Sequence, residues 1–212
     1  MTRSENTAEY DLIVIGGGAS GMMAAGVAAS RGLRVLLLEK NKRLGEKLRI
    51  SGGGRCNITN AELDERALLP QYGSAEQFLY SPFAQFGVKD TFNFFESRGL
   101  PLVVQGLKRA FPKTENAEDV VRLLESYIKK QGVEVRLNSS VTKVEMERGA
   151  VSGVYSGKQR FTAKNYVFAT GGVSHPETGS TGDGFNWLRE LGHTVVAPTP
   201  TIVPLAVSDQ WV

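Results

Sequence analysis

The stretch Asp11-Leu12-Ile13-Val14-Ile15-Gly16-Gly17-Gly18-Ala19-Ser20-Gly21 decides the fold. Leu12 to Ile15 is a continuous, branched apolar run, the pattern of a parallel strand covered on both faces. It stops at a glycine cluster in which Gly16, Gly18 and Gly21 fill G-x-G-x-x-G. The first glycine makes the tight turn, the second lets the backbone approach a pyrophosphate, and the third lets the following helix pack on the strand. That helix, over roughly Ser20 to Ser30, keeps a small packing face at Ala25, ends at Gly32 and leads into a second apolar run, Val35 to Leu38. Glu39 closes the run at close to the spacing of about 20 residues at which an acid meets a ribose hydroxyl pair, and its charge opposes a 2′-phosphate. Strand, helix, second strand and terminal acid together predict a dinucleotide site rather than a bare glycine turn.

At 212 residues the chain is long enough for one large domain, or one domain with a small satellite. Hydrophobic residues at 41% and charged residues at 22% are ordinary for a soluble globular protein. The net charge is +3 and the pI about 9.0. Lys40, Lys42, Arg43, Lys47, Arg49 and Arg55 crowd the segment after the fingerprint. Aromatic residues are absent among them, which argues against nucleic acid and leaves solvated charge or a cofactor phosphate. The single cysteine, Cys56, allows no intrachain disulfide, and a cytoplasmic location is expected. The polar start, Met1 to Asp11, lacks the apolar core of a secretory signal, and no stretch approaches the ~18 apolar residues of a membrane span. No membrane partner is expected, and no cluster has metal-ligand spacing.

Asn41 to Asn60 reads as a long irregular segment centred on Ile50-Ser51-Gly52-Gly53-Gly54-Arg55-Cys56-Asn57. Three glycines between bases suit neither helix nor strand, and such a loop marks the close approach of a ligand or of a second backbone. Ala75 to Arg98 reads as helical, and its aromatic set, Phe78, Phe83, Phe86, Phe92, Phe94 and Phe95, reads as core. Leu102–Val104 and Arg109–Phe111 form a short hairpin. Thr114 or Asn116 caps a helix running to Lys130, followed by a strand from Val133 to Leu137. Val141–Glu147, Ala150–Ser156 and Arg160–Ala163 form a β-meander covering one face of the sheet. Tyr166 to Ala169 returns to the buried-strand pattern and ends in Thr170-Gly171-Gly172, a second glycine turn at the carboxyl edge where α/β sheets bind ligands. Val173 to Gly184 is a long polar loop leading into a helix over Phe185 to Leu191. His175 in that loop is read as an ordinary loop residue and His193 as a dipole partner of the helix end.

Together these motifs resemble the BaiN-type, or aminoacetone-oxidase-like, NAD(P)/FAD-dependent flavoproteins. The resemblance is carried by Asp11–Gly21 with Glu39-Lys40, by Lys47–Asn60, by Phe111-Pro112, and by Ala169–Gly172 with Thr178–Gly184. It implies an α/β, Rossmann-like FAD-binding domain with a parallel sheet and a β-meander. It implies FAD with Gly16, Gly18, Ala19, Ser20 and Gly21 on the pyrophosphate, Glu39 on the adenosine ribose and Lys40 beside it. Ser51, Gly52, Gly53, Gly54, Arg55, Cys56 and Asn57 would line the flavin side. Val141 would meet the adenine through its backbone, and Thr170 and Gly171, with Gly172 beside them, would close over the nucleotide. Members run to about twice this length. The expected organisation is therefore a tail over 1–10, an incomplete FAD/NAD(P)-binding domain over 11–197, and over 198–212 the start of a substrate domain not included in the chain. Thr201 to Val207 reads as an extended strand within that last part.

The expected activity is flavin-dependent oxidoreduction: hydride passes between a reduced nicotinamide or a small organic substrate and the flavin, with NAD(P)H as a transient reductant. No second G-x-G-x-x-G marks a dedicated nicotinamide domain. No catalytic acid or base stands out, and Cys56, with no second thiol, reads as structural. The alternatives are a non-catalytic dinucleotide-binding module and an NAD-dependent dehydrogenase.

Overall fold

Tyr10–Ile15 forms β1, in which Ile13 and Val14 are fully buried, as a strand covered on both faces requires. The structure, a computed structural model, describes residues 9–199. The expected strand over Thr201 to Val207, nearly all of the segment 198–212 and most of the expected tail lie outside the described residues. β1 itself begins at Tyr10, inside the segment read as tail.

α1 (Ala19–Ser30) follows the glycine turn and β2 (Val35–Leu38) completes the βαβ unit. Gly21 and Gly26 set the packing of α1. A Cβ on Gly21 would stand 1.8 Å from the Gly16 carbonyl oxygen, and one on Gly26 would stand 2.2 Å from the Tyr127 ring. The loop after β2 is more ordered than its glycines suggested. It contains α2 (Glu46–Ile50) and a tight 3-10 turn over Ser51–Gly54 in which Gly52 and Gly53 take φ of 57° and 66°. β3 (Thr59–Asn60) and α3 (Glu65–Leu68) come next, the latter capped by Asp64 accepting the Arg66 N–H.

The helical stretch from Ala75 to Arg98 divides into α4 (Glu76–Gln85) and α5 (Val88–Glu96). Phe86 between them is extended at φ −152°, and the Asp90 carboxylate accepts the Gly87 N–H at 2.9 Å, so a second helix starts there. Only part of the aromatic set is core. Phe94 and Phe95 are buried and meet edge to face at 5.2 Å, whereas Phe78 is 78% and Phe86 44% exposed. The expectation of core rested on one helix over Ala75 to Arg98, and the break at Phe86 and Gly87 divides the set between two helices.

β4 (Leu102–Gln105) and β5 (Arg109–Pro112) make the expected hairpin, with β3 added antiparallel to β5. α6 (Ala117–Lys130) is capped by Asn116, whose side chain accepts the Glu118 N–H, and leads into β6 (Glu134–Arg136). β7 (Val141–Glu147), β8 (Ala150–Ser156) and β9 (Gln159–Phe161) are the meander. β10 (Ala163–Phe168) and α7 (Asp183–Glu190) complete the described residues.

Four parallel strands form the main sheet in the order β10, β1, β2, β6. α1 and α6 cover one face through Met22, Ala25, Val120, Leu124 and Tyr127, while Val141, Val154 and Phe161 of the meander cover the other against Ile13, Ile15, Leu36 and Leu38. Each of the larger aliphatic and phenylalanine side chains among them contributes roughly 1.5–3 kcal/mol on leaving water, before chain entropy is counted. β10 departs from expectation in being half-buried rather than buried, because among the described residues it lies at a sheet edge. Trp187 of α7 covers part of it, with its ring 6.0 Å from that of Phe168.

Candidate functional site

All four parallel strands end at the same edge of the sheet, and the residues just beyond them enclose a cavity of about 620 Å³. Gly16 follows β1, Glu39 follows β2, Ser139 stands beyond β6 and Ala169 follows β10. This is the position at which open α/β sheets bind ligands.

The glycine turn forms one wall. Gly16 takes φ of 106°, and a Cβ there would stand 2.4 Å from the Ala169 carbonyl oxygen, so only glycine lets the β1 and β10 turns lie side by side. Gly18 caps α1 with no side-chain hydrogen bond, no acid occupies the first turn, and nothing lies within 4 Å of the place where its Cβ would be. The first N–H groups of α1 therefore face open space with the positive end of the helix dipole behind them, an arrangement that suits a phosphate.

Glu39 is 6% exposed. One carboxylate oxygen accepts the Gly17 N–H at 2.6 Å and the other accepts the Asn41 N–H at 2.8 Å. These bonds aim the carboxylate and leave lone pairs for further donors, such as ribose hydroxyls. Lys40 Nζ reaches Thr181 Oγ1 at 2.8 Å and Asp183 at 3.0 Å, and Asn41 Nδ2 donates to the Thr178 carbonyl at 3.0 Å. The Thr181 hydroxyl and the Lys40 ammonium hold the Asp183 carboxyl below its usual range. The loop from Val173 to Gly184 is thus strapped across the β2 turn, and its Gly179 and Ser180 line the cavity.

Of the residues expected at the site, Gly16, Gly18, Ala19, Ser20, Glu39 and Lys40 lie in the cavity wall. Ser51, Cys56, Asn57, Val141, Thr170 and Gly171 join them there. Gly21 does not; it packs against Gly16 instead. Gly52, Gly53, Gly54, Arg55 and Gly172 also stand outside the wall. Gly52 lies against the Asn57 backbone and the Phe111 ring, and Arg55 stacks 4.5 Å over Phe111 and donates to Gln105 at 3.2 Å, so this part of the loop faces the β4–β5 hairpin. With its amide nitrogen turned toward them, Asn57 donates to the carbonyls of Thr59 and Ala110, each at 3.2 Å, which anchors the loop to the second sheet. Cys56 is 2% exposed at φ 60°, and burial pushes its thiol pKa up. His175 lies outside the wall, with Nδ1 2.8 Å from Glu177.

The cavity also has members that the sequence did not mark. Gly17, Asn41, Ser139, Ser140 and Trp187 line it, and an apolar annex is formed by Met23, Ile58, Phe94, Phe95, Val120 and Leu124; Lys47, already in view as one of the bases after the fingerprint, lines it as well. Ser139 was legible in principle, since it lies just past the carboxyl end of a parallel strand. The annex carries no local signal, because its residues come from α1, α5, α6 and the position just before β3 and look like ordinary core.

The match to a family model decides the assignment: the HI0933-like protein Rossmann domain matches residues 10–206. The chain belongs to this family. The flavoprotein family expected from the motifs is the one found. A 3-dehydro-bile acid delta(4,6)-reductase of Clostridium scindens is 34% identical over 92% of this chain and 47% of its own length. A ribosomal RNA dihydrouridine synthase of Haemophilus influenzae is 31% identical over 93% of this chain and 49% of its own length. The chain thus spans about half the length of the curated relatives it matches. Among solved structures, the 3-ketosteroid-delta4-(5alpha)-dehydrogenase of Rhodococcus jostii RHA1 superposes with a TM-score of 0.60 at 19% identity, covering 80% of this chain and 47% of that one. That likeness is one of fold. Among the described residues, no helix is long and apolar enough to cross a membrane.

Proposed function

We propose that this chain is the FAD-binding part of a flavin-dependent oxidoreductase that acts on a carbon–carbon double bond conjugated to a carbonyl group. The observation that carries the cofactor reading is the uncapped start of α1 beside the buried Glu39 carboxylate, a phosphate site and a hydroxyl-accepting site in one cavity. The residues present fit FAD: the open space at Gly18 admits a pyrophosphate, and the Glu39 carboxylate is already oriented by two N–H donors. Ser51, Cys56 and Asn57 line the same cavity and would meet the flavin, and Val141, Thr170 and Gly171 line it where the nucleotide would lie.

FAD supplies hydride acceptance and release at N5. The chain's own residues bind and orient it. The α1 N–H groups neutralise phosphate charge, Glu39 fixes the ribose, and the loop strapped by Lys40 and Asn41 limits water at the nucleotide end. NAD(P)H is the expected reductant.

The substrate class is supported by the relatives' names. A 3-oxo bile acid with Δ4,6 unsaturation, the uracil ring behind dihydrouridine and a 3-ketosteroid Δ4 bond all hold an alkene conjugated to a carbonyl. A small, largely apolar enone suits the annex lined by Phe94, Phe95, Val120 and Leu124. The relative named for ribosomal RNA favours a second reading, in which the reduced alkene is a uracil base in RNA.

The test is spectroscopic. The protein is expected to bind FAD with a visible flavin spectrum that reduced nicotinamide bleaches and an enone restores. A colourless protein that takes up no added FAD overturns the reading, and uptake of NAD without FAD would favour a plain dehydrogenase.

A further inference from the structure

The bases between Lys40 and Arg55 are mostly spoken for. Lys40 pairs with Asp183 at 3.0 Å, Arg43 with Glu46 at 2.6 Å, and Arg55 with Glu115 at 3.5 Å. Arg49 is held by Glu118 and by the Leu44 carbonyl, and Lys42 is exposed and lies outside the cavity wall. Lys47 differs. It lines the cavity, is half-buried, and donates only to the Ser174 carbonyl at 2.6 Å. The cavity-lining carboxylates are engaged elsewhere: Glu39 by backbone N–H groups, Glu46 by Arg43, Asp183 by Lys40. Among the described residues, Lys47 is therefore the cavity-lining cation with no carboxylate in salt-bridge contact; the Glu177 carboxylate, paired with His175, attracts it only from beyond that distance.

Its position follows from the backbone. The Gly45 N–H donates to the Gly17 carbonyl at 2.9 Å, which ties the start of α2 to the turn in front of α1. A Cβ on Gly45 would stand 2.9 Å from Val121, so α2 is also seated tightly on α6. Lys47 is carried two positions beyond that bond. A dinucleotide pyrophosphate brings two negative charges, and the α1 terminus offers it dipoles and N–H groups but no formal charge.

We propose that Lys47 is the charge partner of the dinucleotide pyrophosphate, exchanging the Ser174 carbonyl for a phosphate oxygen when the nucleotide binds. This rests on the FAD reading of the cavity. Partial desolvation, which lowers the Lys47 pKa, is the condition that a bound anion relieves.

The experiment compares the wild-type protein with Lys47→Gln and Lys47→Arg by titration with FAD at low and high salt. Glutamine keeps a donor for Ser174 and removes only the charge. Lys47→Gln is expected to weaken FAD binding about tenfold and to flatten its salt dependence, while Lys47→Arg stays within about threefold of wild type. Unchanged affinity in Lys47→Gln overturns the proposal. So does equal loss in both variants with the salt dependence intact, which would mark a structural role. A wild-type protein that binds neither FAD nor ADP would instead overturn the flavoprotein reading.

Discussion

The buried carboxylate of Glu39 accepts the backbone N–H of Gly17 at 2.6 Å, so the acid that ends β2 and the turn that follows β1 form one unit. Glu39→Ala strands that N–H and the Asn41 N–H, which bonds to the other oxygen at 2.8 Å. The expected cost is about 1–3 kcal/mol of stability, together with about 1.5–3 kcal/mol of dinucleotide affinity from the lost charge-assisted hydrogen bond. Glu39→Gln keeps one acceptor oxygen and should fall between. Melting curves with and without FAD separate the two effects, and unchanged FAD affinity would remove Glu39 from the site.

Gly18 and Gly21 belong to one motif and should fail in different ways. A Cβ on Gly21 meets the Gly16 carbonyl oxygen at 1.8 Å, so Gly21→Ala is expected to destabilise the fold by about 1–3 kcal/mol or more. Gly18 has φ of −78° and open space where its Cβ would be. Gly18→Ala should therefore melt within about 0.5 kcal/mol of wild type, while its methyl group obstructs the phosphate and weakens FAD binding. Thermal melts paired with FAD titrations check both, and a Gly18→Ala protein with full affinity would place the pyrophosphate elsewhere.

The βαβ unit, the meander and the α6 cap were legible because each is written locally, as a run of one period closed by a glycine or an asparagine. The glycine block after Glu39 was legible as a site but not as a shape. Gly52 and Arg55 lean on Phe111 and the β4–β5 hairpin, a contact between distant segments that no local pattern records. The aromatic stretch divides for a related reason: Phe86 ends α4, where Phe78 is exposed, and only the rings Phe94 and Phe95 of α5 are buried. Lys47 stood in view among the bases, but only the pairing of its neighbours sets it apart.

Tyr10 anchors the sheet edge opposite the cavity through its hydroxyl, which donates to Glu134 at 2.8 Å. Burial, then the bond to the Glu134 carboxylate, raises its pKa from 10.0 to about 12. The folded chain thus holds this proton more tightly than the unfolded one. The stabilisation is complete below the unfolded value of 10.0 and is lost as pH rises through about 12. Ultraviolet titration should show a late-ionising tyrosine that disappears in Tyr10→Phe, and the stability of Tyr10→Phe should depend less on pH across that window. An unaltered titration in the variant would assign the late proton to another tyrosine.

Cys56 is poised to report on the cavity because its thiol is buried yet belongs to the wall. Burial raises its pKa, so little thiolate is present near neutral pH, and thiolate is the reactive form. Alkylation of the folded protein at pH 8 should be about tenfold or more slower than in denaturant. Added FAD should slow it further by filling the space beside Ser51 and Asn57. Mass spectrometry of the alkylated chain over time measures both rates, and labelling that FAD leaves unchanged would separate Cys56 from the cofactor.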